Sequence, residues 1–255
     1  MAAGGARTGP RRRRVRKKTV LAIDVGGTHI KVLASGRRTP LAIPSGPKMT
    51  ARQMVRDVRK ETAGWAYDVV SIGYPGPVLH GMPVSEPSNL GGGWVGFDFA
   101  KAFGKPVRLI NDAAMQALGS YRGGRMLFLG LGTGLGSALI IDGVLEPMEL
   151  AHLPYKKGKT YEEWVGVAAL KRFGKKKWRR VVADVVSRLR AALEPDDVVI
   201  GGGNAKFLRP PLGKGVSLGA NANAFIGGYR LWKDPALRSG SRRRSSTAEQ
   251  LFCKQ

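Results

Sequence analysis

The sequence predicts an α/β protein with two lobes around a cleft, and three observations predict it. Short apolar strand patterns alternate with helical patterns along most of the chain. A strand, glycine turn, strand unit occurs near residue 26 and again near residue 132. The chain is 255 residues long and 43% hydrophobic, enough to build one large core or two smaller ones.

The elements follow in order. Val20-Leu21-Ala22-Ile23 is a buried-strand pattern, resumed by Ile30-Lys31-Val32-Leu33-Ala34 after the turn Asp24-Val25-Gly26-Gly27-Thr28-His29. Ala51 to Ala66 reads as a helix, Val69 to Gly73 as a strand, and Val107 to Ile110 as a strand leading into Asn111-Asp112 and a helix from Ala113 to Tyr121. The first design then repeats: Met126 to Leu129, a turn from Gly130 to Gly136, and Ser137 to Ile141, closed by Asp142-Gly143. The chain is internally duplicated on this reading. Trp178 to Leu193 carries Val181, Val182, Val185, Val186 and Leu189 at helical spacing. Strand Val198-Val199-Ile200 meets Gly201-Gly202-Gly203, and small residues from Ala220 to Gly228 begin a last helix.

A formal charge of +25 is the usual footprint of a nucleic-acid binder, but its distribution weakens that reading. Residues 1–18 carry eight Arg or Lys and no acid, and residues 233–255 carry six bases against Asp234 and Glu249, so the two ends hold 12 of the 25 charges. Arg11 to Arg14 and Arg242 to Arg244 sit among Gly, Ser, Thr and Pro, a composition expected to stay disordered. A second basic cluster, from Lys156 to Arg180, reads either as a solvated face or as an attractor of polyanions. No apolar run reaches the roughly 18 residues that would span a bilayer, and the basic start lacks an apolar secretory stretch, which predicts a cytoplasmic protein. Cys253 is the single cysteine, so no disulfide framework is expected.

The glycine turns carry the chemistry. Glycine lets backbone N–H groups approach phosphate oxygens, Thr adds a hydroxyl, and Asp can hold Mg²⁺ directly or through water. The candidates are Asp24, Gly26, Gly27, Thr28 and Lys31 in the first hairpin and Gly132, Thr133 and Gly134 in the second. Gly26-Gly27-Thr28 lacks the Gly-Lys-Ser/Thr ending of a Walker A loop, and it runs into a strand rather than a helix, so the dinucleotide fingerprint does not fit either. One such hairpin alone is equally well a simple turn. Two in equivalent places suit a clamp that closes on a phosphoryl chain from both sides. Asp112 directly follows a buried strand, where a carboxylate faces the crevice between lobes; its other reading is a helix N-cap before Ala113.

Asp24 to Thr28, Gly73-Tyr74-Pro75-Gly76, Asn89 with Trp94, Asn111-Asp112-Ala113, Gly130 to Ser137, Glu149-Leu150-Ala151-His152 and Gly201-Gly202-Gly203 occur in an order that resembles the ROK family of sugar kinases, from about residue 19 to 232. Within it the chain looks most like the polyphosphate glucokinases. The resemblance implies the two-lobed actin-like (ASKHA, ribonuclease H-like) fold, with an N-terminal lobe at 19–122, a C-terminal lobe at 123–232 and basic tails outside them. It implies a homodimer that moves a phosphoryl group from polyphosphate or ATP, with Mg²⁺, to the 6-hydroxyl of glucose. Asp112 falls at the family's catalytic base, and Asn89, Asn111, Glu149, His152 and, further on, Glu162 fall at its sugar contacts. Gly201, Gly202 and Gly203 resemble the nucleotide-side loop, although glycines after a strand are also a common turn.

The chain departs from the family at several points. Many members carry a zinc site of one histidine and three cysteines, but Leu153 to Tyr161 has no cysteine, so no structural zinc is expected. Ala151 and Ala114 stand where other residue types are usual. Three rivals stay open: a kinase for another hexose, a non-catalytic sugar-sensing ROK protein, and a nucleic-acid binder that uses its Arg-rich tails.

Overall fold

The computed structural model describes residues 18–233, so the basic tails and Cys253 lie outside the described residues, apart from Lys18 and Lys233 at the edges. Two five-stranded sheets of one design hold the molecule together. The first uses β1 (Val20–Val25), β2 (His29–Ala34), β3 (Leu41–Pro44), β4 (Val69–Tyr74) and β5 (Val107–Asn111), in the order β3-β2-β1-β4-β5. The second uses β6 (Arg125–Leu131), β7 (Leu135–Ile141), β8 (Val144–Met148), β9 (Asp197–Gly201) and β10 (Val216–Leu218), in the order β8-β7-β6-β9-β10. In each, an antiparallel meander is continued by two parallel strands. The duplication read from the glycine turns thus extends to the whole sheet.

The helices are α1 (Ala51–Glu61), α2 (Phe99–Phe103), α3 (Asp112–Ser120), α4 (Tyr161–Val165), α5 (Val167–Leu193) and α6 (Asn223–Arg230). Period-two alternation decides which face of each sheet they cover. Leu21, Ile23, Val70 and Ile72 pack with Met54 and Val58 of α1, while Leu127, Leu129 and Leu131 pack with Val182, Val185 and Leu189 of α5. On the opposite face of the second sheet, Met126 and Phe128 meet Ala114, Met115 and Leu118 of α3. On the opposite face of the first sheet the residues are small: a Cβ on Gly228 of α6 would stand 2.8 Å from Ala22 Cβ and 3.3 Å from Ser71 Cβ. Ser71 Oγ donates to Gly228 O at 2.6 Å, and Trp232 Nε1 donates to Ser71 Oγ at 2.9 Å.

Helices α3 and α6 pack on each other between the sheets, α6 against the first and α3 against the second and the edge of the first. A Cβ on Gly119 would lie 1.8 Å from Asn223 O, and one on Gly227 would lie 1.8 Å from Met115 O. Only glycine permits backbones this close.

Local signals explain the ends. Thr50 caps α1 in a capping box with Gln53, worth about 1 kcal/mol, and Thr62 Oγ1 donates back to Val58 O where the helix stops. The helix is shorter than the pattern to Ala66 predicts because the chain turns at Thr62-Ala63-Gly64. The helix expected from Trp178 to Leu193 follows Gly174 (φ 71°, ψ 164°), whose non-helical backbone joins it at a kink to a first limb that starts at Val167. Among the described residues no helix is long and apolar enough to cross a membrane.

Candidate active site

The two sheets face a cleft of about 560 Å³ that both glycine hairpins enter. At the first, Gly26 N–H closes the turn on His29 O at 3.1 Å, and Ser45 Oγ donates to Gly26 O at 2.6 Å. A side chain on Gly27 would collide with Asn89, whose Nδ2 would lie 2.4 Å from the added carbon. Asp24, at the end of β1, pairs in register with Lys31 on β2. Burial pushes the Asp24 carboxyl up, and Lys31 offsets this only in part.

Asp112 stands where β5 gives way to α3. The helix is capped by Asn111, whose Oδ1 accepts from Ala114 N at 3.1 Å while its Nδ2 donates to Gly76 O at 3.1 Å. Asp112 is therefore the first helical residue and not the cap. One of its oxygens, Oδ1, accepts from Ala113 N at 2.8 Å. Burial raises its pKa to about 7, the Asp24 charge adds to the rise, and Glu149 contributes less. The Ala113 N–H works against them. A carboxyl poised at neutrality beside a second acid can exchange a proton at working pH.

The second hairpin is braced from behind. Gly132 N donates to Gly134 O at 3.1 Å, Val167 N donates to Thr133 O at 3.1 Å, and Asn204 Nδ2 donates to Gly132 O at 2.8 Å. Glu162 Oε2 accepts from Leu135 N at 3.3 Å and lies where a Cβ on Gly134 would go. Gly202, with φ +83°, presses on Leu131, whose oxygen would stand 2.4 Å from a Cβ there. The Gly201 to Gly203 loop and the hairpin are thus one packed unit. Ser137 Oγ fixes the approach of the next segment, donating to Met148 O at 2.6 Å and accepting from Leu150 N at 3.2 Å.

Of the residues singled out from sequence, the cleft is lined by Gly26, Gly27, Asn89, Asn111, Asp112, Gly132, Thr133, Gly134, Glu149, His152, Glu162, Gly202 and Gly203. Asp24, Thr28, Lys31 and Gly201 are not among the lining residues. Thr28 is exposed, and its Oγ1 lies 3.4 Å from His29 Nδ1. Sequence reasoning missed Gln116, Ser88, Ser137 and Met148. Gln116 had a signal, since it is four residues after Asp112 on a helix and shares its face. Ser137 closes the Gly130 to Ser137 motif, but one hydroxyl in an apolar strand looks the same whichever way it points, so its direction could not be read.

The basic cluster divides. Lys156 pairs with Asp184 at 3.1 Å and Lys159 with Glu163 at 3.1 Å, whereas the bases from Lys175 to Arg180 have no ion-pair partner among the described residues. No group of three or more His, Cys, Asp and Glu that could hold a metal ion occurs among the described residues.

The ROK family description matches residues 20–146. The polyphosphate glucokinase of Mycobacterium tuberculosis is 30% identical over 205 residues, covering 73% of each chain. The inorganic polyphosphate/ATP-glucomannokinase of Arthrobacter sp. strain KM superposes with a TM-score of 0.73 at 25% identity, covering 84% of this chain and 97% of that one. A ROK family glucokinase from Streptomyces griseus, solved with glucose and AMPPNP, gives a TM-score of 0.68 at 18% identity, with 84% and 98% covered. This chain belongs to the ROK family and has its two-lobed, actin-like α/β fold.

Proposed function

We propose that the protein is a sugar kinase that transfers the terminal phosphoryl group of polyphosphate or ATP to the 6-hydroxyl of glucose. The observation that carries this reading is the Asp112 carboxyl, held near neutrality by burial and by Asp24 in the cleft that both glycine hairpins enter. Phosphoryl transfer needs positioning and charge neutralisation more than covalent help. The sugar hydroxyl oxygen bonds to the terminal phosphorus, the bond to the leaving phosphate oxygen breaks, and Asp112 takes the hydroxyl proton. Its pKa of about 7 matches that work at neutral pH.

Asn89, Glu149, His152 and Glu162 offer the polar contacts a hexose requires, since hydroxyls are discriminated by paired donors and acceptors. Asn111 serves mainly as the cap that aims Asp112. The hairpin N–H groups at Gly26-Gly27 and Gly132 to Gly134 suit the donor phosphates, with Gly202 and Gly203 beyond them. A magnesium ion arriving with the donor would neutralise phosphoryl charge. Asp24, a buried carboxyl with only Lys31 to offset it, is the residue that would hold it through water. On this reading, residues 19–122 and 123–232 supply the two lobes that close on the substrates in a cytoplasmic homodimer, except that α3 packs on the second sheet and α6 returns to the first.

The test is a panel of glucose, mannose and N-acetyl sugars assayed with ATP and with polyphosphate separately, with D112N as control. Turnover of glucose that the variant lacks supports the reading. Absence of turnover for every pair, or a near-normal D112N rate, overturns it. Mannose ranks second because the Arthrobacter relative is a glucomannokinase.

A further inference from the structure

Residues 171–183 hold seven Lys or Arg and no acid, and residues 202–215 hold three more and no acid. The fold lays these two segments against each other. Arg179 Nε donates to Phe207 O at 2.5 Å. Lys175 and Lys206 sit over the Phe207 ring from separate segments, 4.9 and 5.2 Å from its centroid. Arg179 and Arg209 line one cavity with Leu208, Pro211 and Leu212. None of these four bases has an ion-pair partner among the described residues; their contacts are a carbonyl, an aromatic ring and an apolar wall.

Gathering like charges without acids is unfavourable for the free protein, so a surface built this way is suited to a multivalent anion. Its position says which one. Gly203 lines the cleft, and Lys206 follows three residues later in the short helix Ala205–Phe207, anchored to the second hairpin by Asn204 N on Leu131 O at 2.9 Å. The basic surface therefore begins where the donor end of the cleft stops.

We propose that Lys175, Arg179, Lys206 and Arg209 form a track outside the cleft for the distal part of an inorganic polyphosphate chain whose terminal phosphoryl group lies between the hairpins. The inference rests on the sugar-kinase reading and adds to it a basis for donor length. ATP and tripolyphosphate end within the cleft and gain nothing from the track, whereas a long chain gains several charge contacts that salt weakens. A nucleic acid strand shares the phosphate charge but has no terminal phosphoryl chain to place in the cleft.

The experiment uses the full chain with Lys175→Gln, Lys206→Gln and Arg209→Gln combined. A control triple, Arg52→Gln, Lys60→Gln and Lys105→Gln, lowers net charge equally on exposed sites of the first sheet's helices and loops. The track triple is expected to raise KM for long-chain polyphosphate about tenfold, as three exposed charge contacts together supply, with kcat unchanged. KM for tripolyphosphate and for ATP should stay put, the control triple should behave as wild type, and only the long-chain KM of wild type should climb steeply with salt. Equal KM values in the track triple and wild type overturn the track, as does an equal loss in the control. Turnover with ATP and none with polyphosphate also overturns it while leaving the sugar kinase intact. So does loss of single-stranded DNA binding in the track triple with long-chain KM unmoved. No turnover with any sugar and donor refutes the underlying reading and the track with it.

Discussion

The two glycine hairpins are built alike and supported differently. The first, between β1 and β2, stands beside acids: Asp24 at its base, Asp112 close enough for their charges to interact, and Asn89 against Gly27. The second, between β6 and β7, is held by backbone and side chains of later segments, Glu162, Val167 and Asn204, and leads toward a surface of uncompensated bases. One topology thus acquires two electrostatic characters. On the proposed function the first hairpin stands where the proton moves, and the second where the length of the donor is held.

The largest effect is expected at Asp112. D112N keeps the shape and removes the proton acceptor, so kcat should fall about 10²- to 10⁴-fold while the sugar KM moves little, as steady-state kinetics will read. If KM rises and kcat survives, the first hairpin side binds and does not catalyse.

Glycine replacements should separate the hairpins. Gly202→Ala forces a Cβ to within 2.4 Å of Leu131 O at a φ of +83°, a conflict of backbone with backbone. It should cost about 1–3 kcal/mol in denaturant unfolding and raise the donor KM more than the sugar KM. Gly27→Ala meets only the Asn89 side chain, at 2.4 Å, which can swing away. It should cost less stability and disturb the sugar KM instead. The same KM pattern in both variants would remove the division of labour.

Because the folded pKa of Asp112 is raised to about 7, folding favours its protonated form, and its contribution to stability declines as pH rises from about 4 to about 7. D112N escapes that decline. Its Tm should exceed that of wild type at pH 8, with the gap narrowing toward pH 4, and a constant gap would mean that the carboxyl is not titrating there.

The smallest effect expected is at Asp184. Its Oδ2 accepts from Tyr155 Oη at 2.5 Å, Arg188 Nε at 2.9 Å and Lys156 Nζ at 3.1 Å, tying the Pro154–Thr160 region to α5 on a partly exposed surface. D184N should lower Tm slightly and raise the sugar KM modestly through His152 and Glu162, which flank that region. A large fall in kcat would show that the region reaches the reacting atoms.

How much of this was legible in the sequence depended on whether the signal was local. Strand, glycine turn, strand is local, so both hairpins and the strand before Asp112 could be read directly, and the equal sheet orders follow from the same duplication. The capping role of Asn111 was missed because either residue of Asn-Asp can cap, and only the fold puts Gly76 O within reach of the amide. The first limb of α5, from Val167, was not read because the non-helical Gly174 separates it from the helical spacing of Trp178 to Leu193. The basic residues were plain in the sequence, but which of them lack acids depended on long-range packing: Lys156 found Asp184, while Lys175 found Phe207.

The most direct test of the central claim is the pH dependence of kcat/KM for glucose at saturating donor. An acidic limb with an apparent pKa near 7 is expected, absent in the residual activity of D112N. A limb near the ordinary carboxylate value of about 4, or one that D112N retains, would contradict the assignment of Asp112 as the proton acceptor.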